Sequence, residues 1–181
     1  MASVIGQQFS IDLLFELHRL SVETKQLHKD VLKTHLRFAI SVGMIEMSKI
    51  NENIYNFVDE ANRAIAYSRL LISQRTILHS RLASIIDLRL HDFDLVHGDH
   101  DLLYKLYQTS AFHYSRIFEL SQRTNQDALS KALNNYYHCR DEKSASILLP
   151  HTKDENILHK FENLALRGIY AGDCRVKARN K

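Results

Sequence analysis

At 181 residues the chain has the length of one ordinary domain, enough to bury a core without disulfide or metal staples. Its 45% hydrophobic and 25% charged residues exclude a disordered chain, and one proline with five glycines argues against a fold built from many short strands. A formal net charge of +3 and a pI near 8.8 are too weak to imply nucleic acid or an anionic membrane by themselves.

Ser10 is a competent N-cap, and apolar spacing predicts a long helix from Ile11 to about Met47. At ~100° per residue, Asp12, Glu16, Arg19, Glu23, Asp30, Thr34, Arg37 and Ser41 share one narrow polar arc, while leucines and their neighbours fill most of the remainder. Gly43 marks the place where this helix bends or stops. A second long helix is expected from Ser48 or Asn51 to about Leu90, carrying Ile54, Val58, Ala61, Ile65 and Ile72 at helical spacing. If the chain turns between Gly43 and Asn51, the two helices pair side by side as in an antiparallel coiled coil.

His91 to Asp101 breaks the pattern and reads as the main loop, with Asp99 placed to cap a third helix from about His100 to Arg123. A fourth helix follows Thr124 or Asn125 and buries Ala128, Leu129, Ala132, Leu133, Tyr136 and Tyr137. Thr152 with Glu155 forms a capping box that opens a fifth helix, ending near Gly168. The expected fold is therefore all-α: one antiparallel helical bundle over residues 1–168, with two long amino-terminal helices and about three shorter ones. A basic tail, 169–181, completes it.

Cys139 and Cys174 are too few for a disulfide framework or a cysteine zinc site, which fits a reducing, cytoplasmic compartment. No secretory pattern opens the chain, and Phe38 to Ile45 is too short an apolar run to cross a bilayer. Secretion by a route that leaves no such pattern stays compatible with the sequence.

The candidate ligand-binding residues are polar side chains set within apolar helical faces: His28, His35, Arg75, His79 and His113. Buried polar groups cost about 1–3 kcal/mol unless partnered, so these call for one another, water, a backbone carbonyl or a ligand. Arg75 and His79 lie one turn apart and could line an anion pocket between the long helices. His28 and His35, a heptad apart, stand roughly 10 Å apart along a helix and cannot chelate one ion together. A weaker metal candidate is the loop set His91, Asp94, His97 and His100, whose imidazole and carboxylate donors suit zinc. Glu155, His159 and Glu162 have ligand spacing too, but serve equally well as an exposed charged stripe. No cofactor motif is present: there is no Glu-x-x-His, no Gly-x-Ser-x-Gly and no glycine-rich phosphate loop.

The expected function is a noncatalytic interaction module, of adaptor, chaperone, immunity or effector type, that uses a helix face to hold a protein partner. Self-association as a homodimer would cover the same surface. The alternative is a small-ligand or metal-binding bundle, perhaps enzymatic, built on the Arg/His residues. Nucleic acid ranks third, through Arg175, Lys177, Arg179 and Lys181 of the tail and through Lys25, Lys29 and Lys33.

Overall fold

The computed structural model describes residues 1–21, 29–93, 99–122 and 124–139. Among them are seven helices and a small antiparallel sheet: α1 (Ala2–Ile5), β1 (Gln8–Ser10), α2 (Ile11–Ser21), α3 (Lys29–Ser41), β2 (Ile45–Met47), β3 (Ile54–Phe57), α4 (Glu60–Ser68), α5 (Ile72–His91), α6 (His100–Leu120) and α7 (Gln126–Cys139). The chain divides into two compact units, Met1–Leu82 and Ala83–Lys181, with the boundary inside α5.

This corrects the all-α expectation. The fold is mostly helical but mixed, and neither expected long amino-terminal helix covers its whole range. The first gives way at Gly43, whose φ of 70° lies in the left-handed region. There Gly43 N donates to Ile40 O at 2.9 Å and Met44 N donates to Ala39 O at 3.0 Å. That paired closure satisfies the last carbonyls of α3 and turns the chain out of the helix. The second is broken twice: its start is β3, and α4 and α5 are separated at Arg69–Leu71. Over Ile54–Phe57 the true period is two, since Tyr55 and Phe57 are buried while Ile54 and Asn56 are half-buried. Asp59 then caps α4, accepting from Asn62 N at 2.6 Å.

The sheet of the amino-terminal unit has the order β1-β3-β2, both pairings antiparallel, with Phe9 opposite Tyr55 and Ile45 opposite Phe57. Phe9 stacks on Tyr55 at 5.8 Å and tilts against Phe57 at 5.7 Å. These rings meet Ile11 and Leu14 of α2, Leu32 and Leu36 of α3, and Ile45, which together form one core. Ser10 caps α2 as the sequence suggests, its Oγ accepting from Leu13 N at 3.1 Å.

In the second unit α6 packs along α7, burying Tyr114, Ile117 and Phe118 against Ala128, Leu129, Ala132 and Leu133, with Ala83 of α5 in the same cluster. Asp99 caps α6 and Asn125 caps α7, accepting from Ala128 N at 3.0 Å. The capping box at Thr152 and the helix expected after it, like the tail, lie outside the described residues.

Candidate functional site

Among the described residues three places gather polar side chains, and they differ in whether those side chains are already satisfied. Arg75 and His79 come together at the α4–α5 joint, through a residue the sequence did not single out. Tyr67 hydroxyl lies 3.0 Å from His79 Nε2, and the Arg75 guanidinium sits 4.7 Å over the Tyr67 ring. Arg75 Nε donates to Leu70 O and Nη2 to Ser68 O, both at 2.9 Å. The guanidinium thus closes the carboxy-terminal end of α4, where carbonyls lack helical partners and a cation opposes the helix dipole. The geometry is that of a clamp on the turn between two helices.

A second network lies in the other unit. Asp87 accepts from Ser110 Oγ at 3.1 Å and from Tyr114 hydroxyl at 2.5 Å, and Asn135 Nδ2 donates to Ser110 Oγ at 2.8 Å. Lys131 Nζ lies 3.4 Å from the Tyr114 hydroxyl. Burial, then the hydrogen bond and charge of Asp87, push the Tyr114 phenol well above its ordinary range, so it remains a donor. These groups adjoin a cleft of about 520 Å³ lined in part by Asp87, His91, Tyr107, Asp127 and Lys131. Ser110 commits its proton to a carboxylate, not to a histidine base, so the set lacks the hydrogen-bond order of an activated nucleophile. Ser110 and Tyr114 were legible as hydroxyls one turn apart on an apolar arc. Asp87 carries no such local signal, because its partners arrive from another helix.

The third place is α3 and the β2–β3 hairpin. Only Leu32 and Leu36 of α3 are buried, one turn apart. Lys33, Thr34, His35, Arg37, Phe38 and Ser41 are all exposed, Phe38 to 69%. At ~100° per residue, Asp30, Thr34, Arg37, Phe38 and Ser41 face away from the leucine pair, with Lys33 on the flank. Lys29 pairs with Asp12 of α2, a surface ion pair that links the two helices at little energetic gain. The hairpin turn exposes Lys49 and leaves Ile50 98% accessible.

The remaining sequence candidates are dispersed. His35 is exposed on α3, and His113 is wholly buried in α6, where desolvation lowers its pKa to about 3 and keeps the ring neutral. His91 is exposed at the end of α5 and His100 opens α6. His28, Asp94, His97, Arg175, Lys177, Arg179 and Lys181, with Glu155, His159 and Glu162, lie outside the described residues. Among the described residues no three His, Cys, Asp or Glu side chains converge as a metal site. No helix among them is long and apolar enough to cross a membrane. No family model, curated protein or solved structure matches the chain.

Proposed function

We propose that the chain is a noncatalytic interaction module of the cytoplasm whose working surface is the outward face of α3 together with the β2–β3 turn. The observation that carries this reading is the burial of α3: Leu32 and Leu36, with Ala39 half-buried beside them, anchor thirteen residues, and the polar face opposite them is exposed. A helix held only for packing would bury a wider stripe. The Arg75 and His79 cluster supports the same reading, because its hydrogen bonds end on the fold's own carbonyls and Tyr67.

The test is sedimentation of a fluorescently labelled full chain in cell extract, beside an Arg37→Glu/Phe38→Asp variant of matched thermal stability. The wild type should travel as part of a larger complex and the variant as the bare chain. Identical sedimentation of the two would end this reading.

Self-association is a second reading, favoured by a different surface of the same unit. Ile65, Leu71, Ile72 and Ile77 are exposed by 56%, 66%, 62% and 48%, more apolar surface around one helix joint than a lone chain gains from. Light scattering over a dilution series should show a dimer that dissociates. A concentration-independent monomer removes this second reading and leaves the first intact.

A further inference from the structure

We propose that the cleft of the second unit binds a free α-amino acid with an apolar side chain: Asp87 and Asn135 hold its ammonium, Lys131 its carboxylate, and Leu90 and Tyr107 its side chain. All five residues line that cleft and belong to the second unit, so the inference stands apart from the α3 surface.

Two acceptors define the ammonium end. Asn135 is only 7% exposed and borders the cleft, with its Nδ2 committed to Ser110 Oγ at 2.8 Å. The amide oxygen, at the other end of the same group, receives no hydrogen bond among the described residues. A buried acceptor in that state is costly, and a donor arriving in the cleft removes the cost. Asp87 is linked to Asn135 through Ser110, and its own partners are two hydroxyls, Ser110 at 3.1 Å and Tyr114 at 2.5 Å. Hydroxyls stabilise a carboxylate without cancelling its charge, and each carboxylate oxygen keeps a further lone pair. A half-buried negative charge beside a neighbouring amide oxygen is met by a cationic N–H donor.

The lysine of the cleft does not fill that role. Lys131 Nζ lies 3.4 Å from the Tyr114 hydroxyl and 3.8 Å from the exposed Asp127, and it makes no ion pair with Asp87. The Tyr114 phenol stands between the two charges, donating to the carboxylate and accepting from the ammonium; burial and Asp87 keep it protonated. Opposite charges held close without pairing are complementary to a ligand that carries the reverse pair on neighbouring atoms. An α-amino acid does so, its ammonium and carboxylate joined through one carbon. A plain amine sets a like charge near Lys131, and a plain carboxylate sets one against Asp87.

Size and wall agree with this ligand. The cleft volume of about 520 Å³ lies within the usual range of small-molecule sites and exceeds what a charged head group needs. Beyond the charged groups the wall includes Leu90 and Tyr107, both half-buried, and the Tyr107 ring is stacked on His138 at 4.4 Å. A ring held in this way offers a preformed apolar surface, which lowers the ordering cost of binding.

The experiment is isothermal titration calorimetry of the full chain with phenylalanine, leucine, serine, phenethylamine and 3-phenylpropionate. Phenylalanine and leucine should bind, and serine more weakly than either. Phenethylamine, which lacks the carboxylate, should bind about two- to fivefold more weakly than phenylalanine, because Lys131 is exposed. The loss for 3-phenylpropionate, which lacks the ammonium, should be about tenfold or more. Asp87→Asn should weaken phenylalanine about 10- to 100-fold. Lys131→Gln should weaken phenylalanine about two- to fivefold and leave phenethylamine no weaker, a selectivity that a general loss of structure does not produce. Absence of heat from both phenylalanine and leucine at about 10 mM would overturn the proposal. So would serine binding as tightly as phenylalanine, equal losses for phenylalanine and phenethylamine in Lys131→Gln, or undiminished binding by an Asp87→Asn chain of wild-type melting temperature.

Discussion

Helices α3 and α7 are nearly equal in length, 13 and 14 residues, and both carry leucine at helical spacing, yet the fold uses them in opposite ways. In α7, alanine accompanies leucine: Ala128, Leu129, Ala132 and Leu133 are all at most 3% exposed. The small side chains let α6 approach closely, and Asn135 adds a buried hydrogen bond to Ser110. In α3 the positions flanking Leu32 and Leu36 hold Lys33 and His35, both exposed, and even Phe38 stays outside. One helix is covered along its apolar side, the other mainly at its two leucines. A residue's apolar character is therefore a poor guide to its burial unless the neighbours on the same arc are also small or apolar.

The largest expected effect tests that contrast directly. Leu133→Ala in α7 should lower unfolding free energy by about 2–5 kcal/mol, while Phe38→Ser in α3 should change it by no more than about 0.5 kcal/mol, both read by denaturant titration. Similar losses at the two sites would erase the distinction.

Next comes the acid sensitivity of the α6–α7 unit. His113 has a folded pKa near 3 against an ordinary value of 6.5, so the unfolded chain binds the extra proton between those values. Stability due to its neutral, buried form is present above about pH 6.5 and is lost progressively as pH falls toward 3. The loss between pH 7 and pH 5 is about 2 kcal/mol, and a His113→Leu variant should show a correspondingly flatter profile of melting temperature against pH. An unchanged profile would mean that His113 is not the group responsible.

Smaller effects probe how each helix is held at its ends. Gly43→Ala should cost about 1 kcal/mol, and the cause would be backbone alone, because an added Cβ meets nothing within 4 Å. Asn125→Ala, which removes the cap of α7, should cost a comparable amount of about 1 kcal/mol. A much larger loss for Gly43→Ala than for Asn125→Ala would show that α3 depends on its exit turn more than α7 depends on its cap. Of similar size, Tyr67→Phe should cost about 0.5–1.5 kcal/mol by breaking the bond to His79, with Arg75 still closing α4.

Much of the helical content was legible in local pattern. The stretches 11–21, 29–41, 72–91, 100–120 and 126–139 are helical, as their apolar spacing indicates, and Ser10, Asp99 and Asn125 cap where polar side chains precede apolar runs. The strands were not legible because they are three or four residues long, a window in which periods of 2 and 3.6 select overlapping positions. Ile54, Val58 and Ala61 fit a helix on paper, while Tyr55 and Phe57 reach the core only once β3 lies between β1 and β2. The polar sites followed the same rule. Arg75 and His79 lie one turn apart on α5, but their partner is Tyr67, brought within reach by a break at 69–71 that composition does not announce.

What the residues determined alone was the phase of each helix: which side chains share a face, and hence that Thr34, Arg37 and Ser41 stand together. Phase is a property of about seven consecutive residues and needs no distant contact. Which face is covered was decided only in three dimensions, because burial depends on what arrives from elsewhere in the chain. The β1-β3-β2 sheet brings Phe9, Tyr55 and Phe57 to Leu32 and Leu36, and among the described residues of that unit none buries the face beyond them.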